Sequence, residues 1–199
     1  MNVKKMIVVL LLCVSSAVYA DAVDKEIRAF AVLQHPDDSR MQDYVYKQQI
    51  TAYKYMSRVE DRAAKEFSTR EYPDDYALQK YTYDKQVSAK NYMGSVDDLE
   101  IKEFSEMEYP EDYTLQKYTY DKQSSARRYM LTVESDEIKQ FSIREYPSDY
   151  TLQKYTYDKQ LSAKKYMAAA KNIENKEKAM REHPDDYTLQ KYIYDRLTF

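Results

Sequence analysis

Apolar side chains between Pro110 and Pro147 recur at helical spacing. Placed at about 100° per residue, Leu115, Tyr118, Ala126, Tyr129 and Val133 fall within an arc of about 80°, which predicts one long amphipathic helix over 113–131, roughly 28 Å in length. Pro110 and the acids Glu111-Asp112 mark its start, and the equivalent positions hold Asp37-Asp38, Asp74-Asp75, Ser148-Asp149 and Asp185-Asp186. Carboxylates there cap open backbone N–H groups and sit at the positive end of the helix dipole. A second, shorter helix follows over 137–146, with apolar residues three to five apart, and meets Pro147. The corner between the two is marked by Asp61, Asp98, Ser135 and Asn172, all good N-cap residues, and Gly94 loosens one such corner. The competing reading is one uninterrupted helix from proline to proline. If the corner holds, the helices fold back antiparallel, Ile138 lies beside Met130, and Phe141 lies beside Ala126 and Tyr129.

The pattern is repeated. Leu115-Gln116-Lys117-Tyr118-Thr119-Tyr120-Asp121-Lys122-Gln123 recurs letter for letter at 78–86 and 152–160, with a fourth copy at 189–196 and a diverged one at 41–48. Pro36, Pro73, Pro110, Pro147 and Pro184 hold one interval of 37 residues. Such a period predicts an all-α fold, an α-solenoid of 37-residue helix-turn-helix repeats with about ten helices in a single domain over 21–199. Each long helix would bridge two short ones. The short helix that opens the array and the half-length helix that closes it read as caps. A helical hairpin closed by Pro-Asp-Asp before the next helix resembles the tetratricopeptide and Sel1-like class. That resemblance implies a right-handed superhelix used as a protein-binding scaffold. The chain departs from the pattern where a first-helix glycine is wanted, since Tyr83, Tyr120 and Tyr157 stand there, and its period is longer; no ligand-contacting residue is carried over.

Composition narrows the setting. Lys4 and Lys5, the apolar run 6–14 and Val18-Tyr19-Ala20 read as a secretory signal peptide over 1–20, too short for a spanning helix. The expected product is soluble, begins at Asp21 and is periplasmic or secreted. Leu12 before Cys13 argues against lipidation of that cysteine. Cleavage leaves 29 basic against 34 acidic residues, a poor match to nucleic acid, whose binders carry a basic patch. The one cysteine would leave with the signal, excluding disulfides and thiolate chemistry. A single glycine in 199 residues disfavours tight β-hairpins.

Little in the chain points to catalysis or a cofactor. His35 and His183 precede prolines where other units have Tyr72, Tyr109 and Tyr146, so they replace a structural ring rather than ligate metal. The paired acids after each proline could hold Ca²⁺ but read as helix caps. Lys85, Lys122 and Lys159 fall within the apolar arc and are expected to pair with Glu108, Glu145 and Glu182. The 23 tyrosines form rows: Tyr81, Tyr118, Tyr155 and Tyr192, and Tyr92, Tyr129 and Tyr166, lie on the arc assigned to the core. Tyr83, Tyr120, Tyr157 and Tyr194 lie on the far side. Neighbouring aliphatic residues, Ile50, Val87 and Leu161, favour packing of that far row against the next repeat, with Ser124 leaving a notch. The alternative is a partner-binding surface made of these four tyrosines with Lys80, Lys117 and Lys154. The function expected is a non-enzymatic exported scaffold that binds a protein or peptide. Its rivals are a self-associating structural array and, further off, a glycan-binding or glycan-cleaving envelope protein.

Overall fold

The computed structural model describes residues 21–198; the expected signal segment 1–20 lies outside them. Among the described residues the chain is all-helical and contains no strand. Helix α1 covers 21–34. Long helices α2 (Ser39–Met56), α4 (Tyr76–Gly94), α6 (Tyr113–Thr132), α8 (Tyr150–Ala168) and α10 (Tyr187–Thr198) alternate with short helices α3 (Arg62–Glu71), α5 (Leu99–Glu108), α7 (Asp136–Glu145) and α9 (Ile173–Glu182). Consecutive helices pack on one another as helix-turn-helix repeats of the α-solenoid class. Two compact units divide the described chain, 21–91 with 111–114, and 92–110 with 115–198.

The corners form where the N-cap residues stand. Asp61, Asp98 and Asn172 are extended residues whose side chains accept from the N–H three residues on, at Ala64, Ile101 and Asn175. Ser135 occupies the same place without a side-chain cap bond. An uninterrupted helix is thereby excluded, because the cap carboxylate satisfies N–H groups that helix continuation would have used. Short helices end at Tyr72, Tyr109, Tyr146 and His183, all near φ −135° and ψ 70°, outside the helical region that a following proline disfavours.

The buried face of each long helix differs from the expected one. In α6 it consists of Gln116, Tyr120, Gln123, Ala126 and Met130, while Leu115 and Tyr118 are exposed. This stripe is rotated by about 100° from the expected arc. Glutamines make the difference. Gln116 Nε2 donates to the Tyr109 carbonyl at 2.6 Å, and Gln42, Gln79, Gln153 and Gln190 do the same to His35, Tyr72, Tyr146 and His183 at 2.7 Å. The second glutamine of the stripe serves the next repeat. Gln123 Nε2 donates to the Asp149 carboxylate at 2.8 Å while its Oε1 accepts from the Thr151 N–H at 3.2 Å, and Gln49, Gln86 and Gln160 repeat the arrangement. Burying an amide is favourable only with partners of this kind, and the corners supply them as orphaned carbonyls and cap carboxylates.

Apolar contacts complete each repeat. Ile138 packs with Met130 and Tyr157, Ile101 with Met93 and Tyr120, and Ala64 with Met56 and Tyr83, so Ile138 does meet Met130. Val87 and Leu161 pack on two of these clusters. Ser124 takes their place in the third, half-buried, with an Oγ that has no hydrogen-bond partner.

Candidate functional site

The two residue rows singled out from the sequence are both engaged inside the repeat framework. Tyr83, Tyr120, Tyr157 and Tyr194 are 3–9% exposed. Their rings meet Tyr55, Tyr92, Tyr129 and Tyr166 of the preceding repeat edge-to-face, with centroids 6.2–6.3 Å apart, a favoured aromatic geometry. The hydroxyls of Tyr83, Tyr157 and Tyr194 reach the corner and accept from the N–H groups of Asp61, Ser135 and Asn172 at 3.2–3.3 Å. The packing reading holds for this row. The rings are mostly covered by the repeat packing, and Tyr83 and Tyr157 each also border a surface hollow.

Lys80, Lys117, Lys154 and Lys191 are half-buried and bound on two sides. Each donates to the carboxylate four residues on, Asp84, Asp121, Asp158 or Asp195, at 2.6–2.7 Å. Each ammonium also lies 4.4–4.6 Å from the ring centroid of Tyr55, Tyr92, Tyr129 or Tyr166. The same tyrosines donate to the other oxygen of that carboxylate, at 2.5–2.7 Å. Each of these four long-helix junctions thus carries one Tyr–Asp–Lys triad, in which a half-exposed cation is paired with a carboxylate and rests against a ring. Hydrogen bonding to Asp84, Asp121 and Asp158, aided by burial, pushes the Tyr55, Tyr92 and Tyr129 phenols up to about 12. Burial alone would raise Asp121 and Asp158, but bonds from the lysine and the tyrosine outweigh it and hold both below the ordinary carboxylate value. These triads are structural ties.

What remains open is the row assigned to the core. Tyr81, Tyr118, Tyr155 and Tyr192 are 59–60% exposed, flanked by half-exposed Leu78, Leu115, Leu152 and Leu189. Lys85, Lys122 and Lys159 do not pair as expected. They are exposed and lie 5.3–5.4 Å over the rings of Tyr81, Tyr118 and Tyr155, one helical turn back. With the buried stripe rotated, these lysines stand in water, where no buried counter-charge is needed. Beside Tyr155 opens a hollow of about 390 Å³, lined by Phe141, Glu145, Tyr146, Lys159, Asp186 and Thr188 among others. Glu145 and Lys159 face this hollow from opposite elements, α7 and α8, and neither forms an ion pair among the described residues.

A signal for this face was present in the chain. Glu71, Glu108 and Glu145, Tyr72, Tyr109 and Tyr146, Tyr81, Tyr118 and Tyr155, and Lys85, Lys122 and Lys159 are identical in three consecutive repeats. Other exposed positions have drifted, as Leu99, Asp136 and Ile173 or Asn91, Arg128 and Lys165 show.

His35 and His183 sit at short-helix ends with their carbonyls bound by Gln42 and Gln190. Among the described residues no cluster of three or more His, Cys, Asp or Glu side chains could hold a metal ion, and no helix is long and apolar enough to cross a membrane. No protein-family model, curated protein or solved structure matches the chain. The resemblance to the tetratricopeptide class therefore rests on the hairpin pattern alone.

Proposed function

We propose that the chain is an exported, non-enzymatic helical-repeat scaffold that binds a protein partner across the exposed face of its long helices. Leu115, Tyr118 and Lys122 on α6 and Leu152, Tyr155 and Lys159 on α8 form that face, with Leu189 and Tyr192 on α10. The observation that carries this reading is the row of tyrosines, about 60% exposed, held at one position in successive repeats. Solvated tyrosines beside aliphatic side chains combine apolar area with a hydrogen-bonding tip, the composition of interface anchors. Export is supported by Lys4, Lys5, the apolar run and Val18-Tyr19-Ala20.

Affinity purification of the tagged protein from its native envelope, beside the Tyr118→Ser/Tyr155→Ser variant, tests the proposal. The expected result is a protein recovered with the parent and lost with the variant, at an unchanged melting temperature. Equal recovery with both would overturn it. Self-association is the second reading, because the same Leu and Tyr rows would serve another copy of the chain. A sedimentation measurement showing concentration-dependent assembly that the variant abolishes would favour it.

A further inference from the structure

Within the unit that contains α6, α8 and α10, we infer that the exposed tyrosine row receives an extended, proline-rich peptide in the polyproline II conformation, lying across the long helices. This rests on the reading of that row as the partner-binding face.

Three observations converge. The first is spacing. The long helices α6, α8 and α10 pack directly on one another through Tyr129–Tyr157 and Tyr166–Tyr194 and through the glutamine bonds. Packed helices stand roughly 8–10 Å apart. Tyr118, Tyr155 and Tyr192 occupy one position of the repeat, so consecutive rings are offset by one such step across the helices. A polyproline II helix advances about 9 Å per three-residue turn. A proline at every third residue would meet the same surroundings at each ring.

The second is hydrogen-bond complementarity. A proline-rich segment in this conformation makes no internal hydrogen bonds and lacks N–H groups at its prolines, so it presents mainly carbonyl acceptors. The hollow next to Tyr155 offers donors without acidic partners: the Lys159 ammonium and the hydroxyls of Tyr146 and Tyr155. Phe141 and the two tyrosine rings supply the apolar wall against which a pyrrolidine ring packs, as aromatic-lined grooves do for such peptides. Glu145 provides one anchor of opposite sign, which places a basic residue between the prolines.

The third is repetition. Phe104, Glu108, Tyr109, Tyr118 and Lys122 form the same set one repeat earlier, identical to Phe141, Glu145, Tyr146, Tyr155 and Lys159. A ligand that is itself periodic meets the same groups at successive repeats, and linked binding to successive sites raises its apparent affinity.

Titration of the purified chain with a synthetic peptide of repeated Pro-Ala-Lys triplets, followed by calorimetry, tests this. Controls are peptides of the same composition in scrambled order and of repeated Ala-Ala-Lys and Pro-Ala-Glu triplets, together with a neutral oligosaccharide. Binding of the Pro-Ala-Lys peptide, weakened about tenfold by Tyr155→Ser and by Glu145→Gln to the level of the Pro-Ala-Glu control, is the expected result. Equal binding of the scrambled or proline-free peptide, or binding of the oligosaccharide alone, would overturn it. So would no peptide binding while Tyr118→Ser/Tyr155→Ser still loses the native partner, in which case the face stands and its proline-rich occupant falls. If the native partner is also retained by that variant, both fall.

Discussion

At the scale of single residues, this protein stores its specificity in buried amides. Gln123 is almost wholly covered and closes two bonds at the start of the next long helix. Replacing it by leucine would remove one hydrogen bond each from the half-buried Asp149 carboxylate and the Thr151 N–H. Gln123→Leu is expected to cost about 2–3 kcal/mol, measured by urea denaturation; a parent-like midpoint would show that the amide is dispensable. The triad tyrosines add a pH dependence. The folded values of Tyr55, Tyr92 and Tyr129, about 12, lie above the ordinary 10.0, so the neutral phenol is favoured by the fold. That contribution is complete below about pH 10 and is lost as pH rises toward about 12. Titration of phenolate absorbance is expected to show a late group of tyrosines released with loss of helix as pH approaches about 12. A single step near 10 would contradict the triads.

At the scale of the element, nearly everything that depends on local rules was legible in the chain. Prolines fixed the ends of the short helices, and Asp61, Asp98, Ser135 and Asn172 fixed the corners, because capping and pre-proline geometry are decided by neighbours in sequence. The rotation of each long helix was not legible. Hydrophobic patterning counts glutamine as surface and tyrosine as core, whereas here the partners of Gln116 and Gln123 lie across a corner or in the next repeat, and Tyr118 keeps its hydroxyl wet. The same error misplaced Lys122 and its expected pairing with Glu145. The caps themselves differ in a checkable way. Asn172 accepts from the Asn175 N–H at 3.1 Å, but Ser135 makes no such bond. Asn172→Ala is expected to cost about 1 kcal/mol and Ser135→Ala distinctly less, read from paired denaturation curves. Equal losses would contradict the difference.

At the scale of the whole molecule, repeats joined by the same contacts imply near-additive behaviour. Deleting residues 113–149 joins Asp112 to Tyr150 and preserves the cap-to-helix sequence of every other unit. The shortened chain is expected to keep its helicity per residue with a lower melting temperature, by circular dichroism; loss of the helical signal would contradict modular packing. The central claim is that one tyrosine row holds the repeats together and the adjacent row is left for a partner, and it applies to all the long helices at once because they share one rotation. Its most direct measurement is the unfolding free energy of Tyr120→Ala beside that of Tyr118→Ala. Tyr120→Ala is expected to lose about 3 kcal/mol, as for a buried aromatic ring, and Tyr118→Ala no more than about 0.5 kcal/mol, as for a solvated position. The reverse order, or equal losses, would contradict the account.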